Sequence, residues 1–200
     1  MTLQESFNAK TVLITGHTGF KGVWLSAWLK QLGAKVVGIA LEPPTEPSHF
    51  VAANLTDGMT DLRIDIRNQD AIEEAIVSTQ PDFVFHLAAQ ALVRRSYEDP
   101  VATYMTNAIG TLNLLEALRS LEKKCTVVLI TSDKCYKNVE WVWGYRETDE
   151  LGGPDPYSAS KGAAELLIRS QVKSFFPKDG NVRIAIGRAG NVIGGGDWAQ

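Results

Sequence analysis

Two short segments hold side chains that could do chemistry together. Tyr157-Ser-Ala-Ser-Lys161 sets a phenol and an ammonium four residues apart, and residues i and i+4 share one face of a helix. A nearby ammonium stabilises a phenolate and lowers the tyrosine pKa, which suits Tyr157 to take a proton near neutral pH. Thr131-Ser132-Asp133-Lys134 follows an apolar run. A hydroxyl there can hydrogen-bond the substrate oxygen that Tyr157 deprotonates. A Tyr–Lys pair at this spacing arises by chance on many amphipathic helices, so it gains meaning only from its partners.

A third segment is such a partner. Gly16-His-Thr-Gly19-Phe-Lys-Gly22 follows a strand pattern and opens a helix pattern. Gly16 permits a tight turn, Gly19 lets backbone approach a pyrophosphate, and Gly22 allows close helix–strand packing. The helix N-terminus offers free N–H groups and a positive dipole end to the anion. Gly16, Thr18, Gly19, Phe20, Lys21 and Gly22 are thus the candidates to hold a dinucleotide. Lys21 fits a phosphate contact and a solvated surface lysine equally well; His17 reads as a packing or loop residue. His86-Leu87-Ala88-Ala89-Gln90 ends a fourth strand pattern, and its small residues leave room for a cofactor at the sheet edge. His86 itself reads as a buried structural histidine.

The elements that must position these segments alternate along the chain. Short apolar runs predict strands at Thr11–Thr15, Lys35–Leu41, Asp61–Ile66, Phe83–Leu87, Thr126–Thr131 and Val182–Arg188. Helical spacing predicts helices at Phe20–Leu32, Asp70–Thr79 with Asn68 as N-cap, Val101–Leu121 and Pro156–Phe176. Strands apolar on both faces and separated by helices imply an α/β fold, a doubly wound, Rossmann-like parallel sheet. The second strand ends Gly38-Ile39-Ala40-Leu41 and brings an acid only at Glu42, so the usual ribose-holding acid is late and NAD versus NADP stays open at this point.

Composition narrows the partners. The 200 residues carry 20 Lys+Arg and 23 Asp+Glu, a formal net charge of -3, which gives no bulk attraction to nucleic acid or to an anionic membrane. No apolar run approaches the roughly 20 residues of a membrane helix. Cys125 and Cys135 form no CxxC pair and read as two reduced thiols; no metal site is expected, and the expected location is the cytoplasm.

With these segments quoted, the chain resembles the extended short-chain dehydrogenases/reductases that modify nucleotide sugars, and within them the CDP-glucose 4,6-dehydratase family. The resemblance rests on GHTGFKG (Gly16–Gly22), HLAAQALVRRSYEDP (His86–Pro100), TSDKCYKN (Thr131–Asn138), EWVWGYRE (Glu140–Glu147), GGPDPYSASKG (Gly152–Gly162) and RAGNVIGGGDWA (Arg188–Ala199). Related dTDP-glucose dehydratases resemble it except that a Glu usually stands at the position of Lys134. The resemblance implies NAD as cofactor, CDP-glucose as substrate, a homo-oligomer, and a role in deoxysugar and lipopolysaccharide O-antigen formation. It also implies that residues 1–200 are the cofactor domain carrying the catalytic residues, with a smaller substrate lobe beyond residue 200.

Residue roles follow from the same resemblance. Tyr157 is the base at the sugar 4-hydroxyl, Ser132 orients that oxygen, and Lys161 tunes Tyr157 and holds the nicotinamide ribose. Asp133 is the acid for the C6 hydroxyl and Lys134 takes the base position at C5. A lysine base must be neutral, which calls for desolvation or nearby positive charge; the alternative for Lys134 is electrostatic support of an enolate. Asp65 and Ile66 match positions that contact the adenine, with a strand-end acid in a turn as the alternative for Asp65. Asn107 matches a structural position beside the cofactor. Arg188 and Asn191 match positions near the nucleotide and sugar, with packing as the alternative. Trp141-Val-Trp143-Gly-Tyr145 reads equally as a pocket or interface loop and as a cover over the core. An epimerase or reductase would share Tyr157 and Lys161 without needing Asp133 and Lys134; a non-catalytic dinucleotide module would need none of them.

Overall fold

A computed structural model describes residues 2–198. Met1, Ala199 (the end of the Arg188–Ala199 segment) and Gln200 lie outside the described residues. The strands are β1 (Thr11–Thr15), β2 (Lys35–Ala40), β3 (Thr60–Arg63), β4 (Phe83–His86), β5 (Cys125–Ile130) and β6 (Val182–Gly187). All pair in parallel, in the order β3-β2-β1-β4-β5-β6. This is the doubly wound sheet expected from the sequence. The chain reverses its direction of travel between β1 and β4, and the crevice at that switch point is where such sheets bind ligands.

The helices are α1 (Leu3–Phe7), α2 (Phe20–Gln31), α3 (His49–Ala52), α4 (Gln69–Thr79), α5 (Val93–Glu98), α6 (Pro100–Tyr104), α7 (Gly110–Leu118) and α8 (Pro156–Phe175). Alternation along the strands feeds the two faces. Leu13, Val84, Val127 and Leu129 pack on one side with Ile72, Ile76, Leu114, Leu115, Leu118 and Ile168 of α4, α7 and α8. Val12, Ile14 and Val36 pack on the other with Leu29 of α2. Asn68 caps α4 as expected, accepting from Ala71 N–H at 3.2 Å. Asp155 caps α8, with Pro156 at the first helical position, so the helix that carries Tyr157 starts where its own sequence dictates.

The differences from the sequence reading are local. β3 stops at Arg63, so Asp65 and Ile66 sit in the turn into α4, where Asn68 N–H bonds to Asp65 O at 2.9 Å. The helix expected at 101–121 starts at Pro100, ends at Leu118 and carries a π-helical turn at Met105–Ile109. α1, α3 and α5 were not legible: each is six residues or fewer, too short to show a helical period.

Candidate active site

The carboxyl ends of β1, β4 and β5 bring the quoted segments to one edge of the sheet. Gly16 has φ +78°, the left-handed region that glycine favours. A Cβ on it would lie 2.7 Å from Ala88 N, so the glycine loop and the β4 loop touch backbone to backbone. A Cβ on Gly22 would lie 2.1 Å from Gly16 O; the close approach there is to the loop itself rather than to the strand. Gly19 differs: nothing stands nearer to its ideal Cβ than Gly16 O at 3.4 Å, and no side chain caps the helix it begins. The first turn of α2 thus presents open N–H groups across an uncrowded glycine, which fits a pyrophosphate.

A buried polar line supports this edge. Thr15 Oγ1 lies 2.7 Å from His86 Nδ1 and accepts from Leu87 and Ala88 N–H, each at 3.2 Å. His86 Nε2 lies 3.0 Å from Thr111 Oγ1, which donates to Asn107 O at 2.8 Å. That pattern makes Nε2 the protonated nitrogen. Burial, with Lys161 adding repulsion, pushes the His86 pKa down to about 3, so the ring is neutral and structural. Asn107 accepts from Gln90 N–H at 2.8 Å and donates to Ser160 Oγ at 2.9 Å. It ties the β4 loop to α8, and its amide serves protein partners. Gln90 is held likewise by Leu92 and Thr103.

Lys161 and Tyr157 lie on one face of α8, with the ammonium 5.7 Å from the ring centroid. Lys161 is 7% exposed and makes no hydrogen bond or ion pair with the described residues. Burial and repulsion from Lys21 bring its pKa down to about 8. Lys21 is itself lowered by burial and has no acidic partner among the described residues. Lys161 thus feels a second ammonium, Lys21, without a counter-charge among the described residues, an arrangement that suits an anionic ligand. Tyr157 departs from the sequence expectation. Burial raises its pKa, the Ser132 hydrogen bond works downward, and Asp133 and Asp155 add to the rise; the lowering expected from Lys161 is not what dominates.

The Ser132–Lys134 segment is more open. Ser132 Oγ donates to Asp133 Oδ1 at 3.1 Å and accepts from Lys134 N–H at 3.2 Å. The desolvation expected at Lys134 is not found: its side chain is 53% exposed and its ammonium stands 3.4 Å from Asp133 Oδ2. A cavity of about 440 Å³ lies beside Asp133, lined also by Tyr136, Glu147, Glu165, Arg169, Ile186 and Arg188. Arg188 is not a free anion ligand there. It grips Glu165 through two nitrogens at 2.8 and 2.9 Å and donates to Tyr136 Oη at 2.6 Å. Asn191 is exposed.

On the adenine side, Asp65 is chelated by Arg67, which holds its carboxyl below the usual range, and Ile66 is buried against Gly110. His17 is fully buried and bonds Asp61 at 2.8 Å. Trp141 and Trp143 are exposed, so the aromatic loop does not cover the core. Cys125 and Cys135 are free and buried. Among the described residues no helix is long and apolar enough to cross a membrane.

A parallel 3-2-1-4-5-6 sheet with a GxxGxxG loop at β1 and a Tyr–Lys pair on the helix before β6 defines the extended short-chain dehydrogenase/reductase class. The model of the GDP-mannose 4,6 dehydratase family matches residues 13–178, and the chain belongs to that family. The chain is 52% identical over 198 residues to a CDP-glucose 4,6-dehydratase of Salmonella typhimurium, covering 97% of this chain and 55% of that protein. It is 28% identical to a CDP-paratose 2-epimerase of Salmonella typhi, covering 82% and 53%. The UDP-glucose 4-epimerase of Thermus thermophilus, solved with NAD, superposes with a TM-score of 0.74 at 30% identity, covering 89% of this chain and 54% of that one. The chain spans about half the length of the curated relatives it matches.

Proposed function

We propose that this chain is the NAD-binding and catalytic part of an enzyme that converts CDP-D-glucose to CDP-4-dehydro-6-deoxy-D-glucose and water. The carrying observation is the Tyr157–Lys161 face of α8, with Ser132 among the neighbours acting on Tyr157 and with Asp133 and Lys134 next to Ser132. The identity to the Salmonella CDP-glucose 4,6-dehydratase supports the substrate. The uncapped α2 terminus over Gly19 and the unpaired Lys21 and Lys161 support the dinucleotide. The Gly16–Gly22 loop, Lys21 and Lys161 would hold NAD, which when bound would supply the hydride acceptor and donor for C4 and C6.

The chain's own residues handle the protons. Ser132 orients the sugar 4-oxygen, and Tyr157 takes its proton in the anionic form that the Lys161 ammonium must favour against the burial that raises its pKa. The resulting 4-ketone acidifies C5–H. Lys134 removes that proton, and Asp133 gives one to the C6 oxygen, which leaves as water. Lys134 then returns its proton to C5, and the proton gained at Tyr157 balances the one Asp133 gave up. A second reading of Lys134, as a fixed positive charge that steadies the enolate, is favoured by its exposure and its contact with Asp133. Further substrate contacts belong to a lobe outside residues 1–200, and the neutral-to-acidic surface and two free thiols support a cytoplasmic place. The exposed Tyr97, Val101 and Met105 support a homo-oligomer.

The test is to incubate the intact protein with NAD⁺ and CDP-glucose and to follow the alkaline absorbance of a 4-keto sugar. Its appearance with loss of the 6-hydroxyl is the expected result. A C4 epimer without a 6-deoxy product would assign the site to an epimerase instead.

A further inference from the structure

Behind the Tyr157–Lys161 face lies an ionic cluster to which the proton transfers above give no part. Glu165 continues the same stripe of α8, four residues past Lys161, and is fully buried at 0% exposure. Its carboxylate accepts from Thr131 Oγ1 at 2.6 Å, from Arg188 Nε at 2.8 Å and from Arg188 Nη2 at 2.9 Å. Arg188 passes the contact on to the Tyr136 hydroxyl at 2.6 Å. One carboxylate therefore joins α8, the end of β5 and the end of β6. Two backbone bonds complete the joint, Thr131 N–H to Gly187 O and Asp133 N–H to Ala189 O, each at 3.0 Å. Ser132 lies between those two rungs.

We propose that Glu165 is a positioning residue: through Thr131 and Arg188 it fixes the Ser132–Asp133 loop against the helix that carries Tyr157 and Lys161. The inference rests on the reaction assigned above. Stability alone is a weak reason for a buried ion pair, since apolar residues of the same shape serve as well or better. What a planar two-point fork adds is a fixed orientation. That orientation is passed to Ser132, the one neighbour of Tyr157 whose influence favours its ionisation, against burial, Asp133 and Asp155. Lys161 stands over the ring from the same helix.

Thr131→Val keeps the side-chain shape and removes the hydroxyl; Thr131→Ser keeps the hydroxyl. In the intact protein, Thr131→Val is expected to lose roughly tenfold or more in kcat on CDP-glucose, with KM and NAD affinity within about twofold. Thr131→Ser is expected to stay near wild type. A second readout needs no substrate. The ionisation of Tyr157, read as the ultraviolet difference from Tyr157→Phe, is expected to move to higher pH in Thr131→Val and in Glu165→Gln, and to stay in place in Thr131→Ser. Should Glu165→Gln fail to fold, the Thr131 pair decides. Tyr157 ionising at the wild-type pH in Thr131→Val, or Thr131→Ser failing as Thr131→Val does, overturns the proposal. A wild-type protein inert on CDP-glucose whose Tyr157 titration still shifts in Thr131→Val would remove the substrate assignment and leave the role of Glu165 standing.

Discussion

Around Gly16–Gly22 the protein meets itself closely, whereas around Ser132–Lys134 it meets solvent. On the cofactor side, Gly16 touches the Ala88 backbone, Gly22 touches Gly16, and Thr15, His86, Thr111 and Asn107 form an unbroken buried line. On the sugar side, Asp133 and Lys134 are about half exposed, and the loop beyond them carries Trp141, Val142 and Trp143 outward. Arg188, Glu165 and Thr131 anchor that side from behind. The two tasks of the proposed function are therefore built differently: dinucleotide binding would rest on backbone approach within these residues, and sugar chemistry on a few side chains anchored from behind that face open space.

The contrast can be broken most severely at Gly22. A Cβ there would lie 2.1 Å from Gly16 O, so Gly22→Ala should destabilise the fold by on the order of 3 kcal/mol and abolish NAD binding, as read by urea unfolding and calorimetry. Gly19→Val separates the two effects. Its φ of -80° and open surroundings leave the fold within about 0.5 kcal/mol of wild type, while NAD affinity should fall by about tenfold or more, roughly 1.4 kcal/mol. Unchanged binding in that variant would move the pyrophosphate elsewhere.

The buried line makes a pH-dependent signature. The folded His86 pKa, about 3, lies below its ordinary 6.5. The unfolded chain therefore binds the extra proton between those values, and stability is lost as pH falls below about 6.5, at about 1.4 kcal/mol per pH unit. Urea midpoints between pH 6.5 and 4.5 should show that slope, and His86→Gln should flatten it. The smallest effect belongs to the sugar side: Trp143 is 73% exposed, so Trp143→Ala should shift stability by less than about 0.5 kcal/mol. A larger loss would show that the aromatic loop is packed after all.

The cofactor side was also the more legible in sequence, because its logic is local. Strand, glycine loop and helix are contiguous from Thr11 to Gln31, and each glycine answers to a neighbour a few residues away. Tyr157 and Lys161 were readable for the same reason, being one helical turn apart. What escaped depends on distant partners. Glu165 stood in plain view one turn past Lys161, but its worth comes from Thr131 and Arg188, 34 and 23 residues away. Arg188 matches a position near the nucleotide and sugar with packing as the alternative, and only the fold shows its nitrogens engaged by Glu165 and Tyr136. Asp65 looked like a strand end because nothing in the local pattern marks where β3 stops, and Lys134 was expected to be buried because exposure is a property of the assembled fold.

The proposed function makes Tyr157 the base of a reaction run on an already assembled dinucleotide site. Steady-state turnover of CDP-glucose by Tyr157→Phe, with NAD affinity measured on the same preparation, probes that role alone. The variant should lose at least about 10²-fold in kcat with NAD affinity nearly unchanged. Near wild-type turnover in that variant would contradict it.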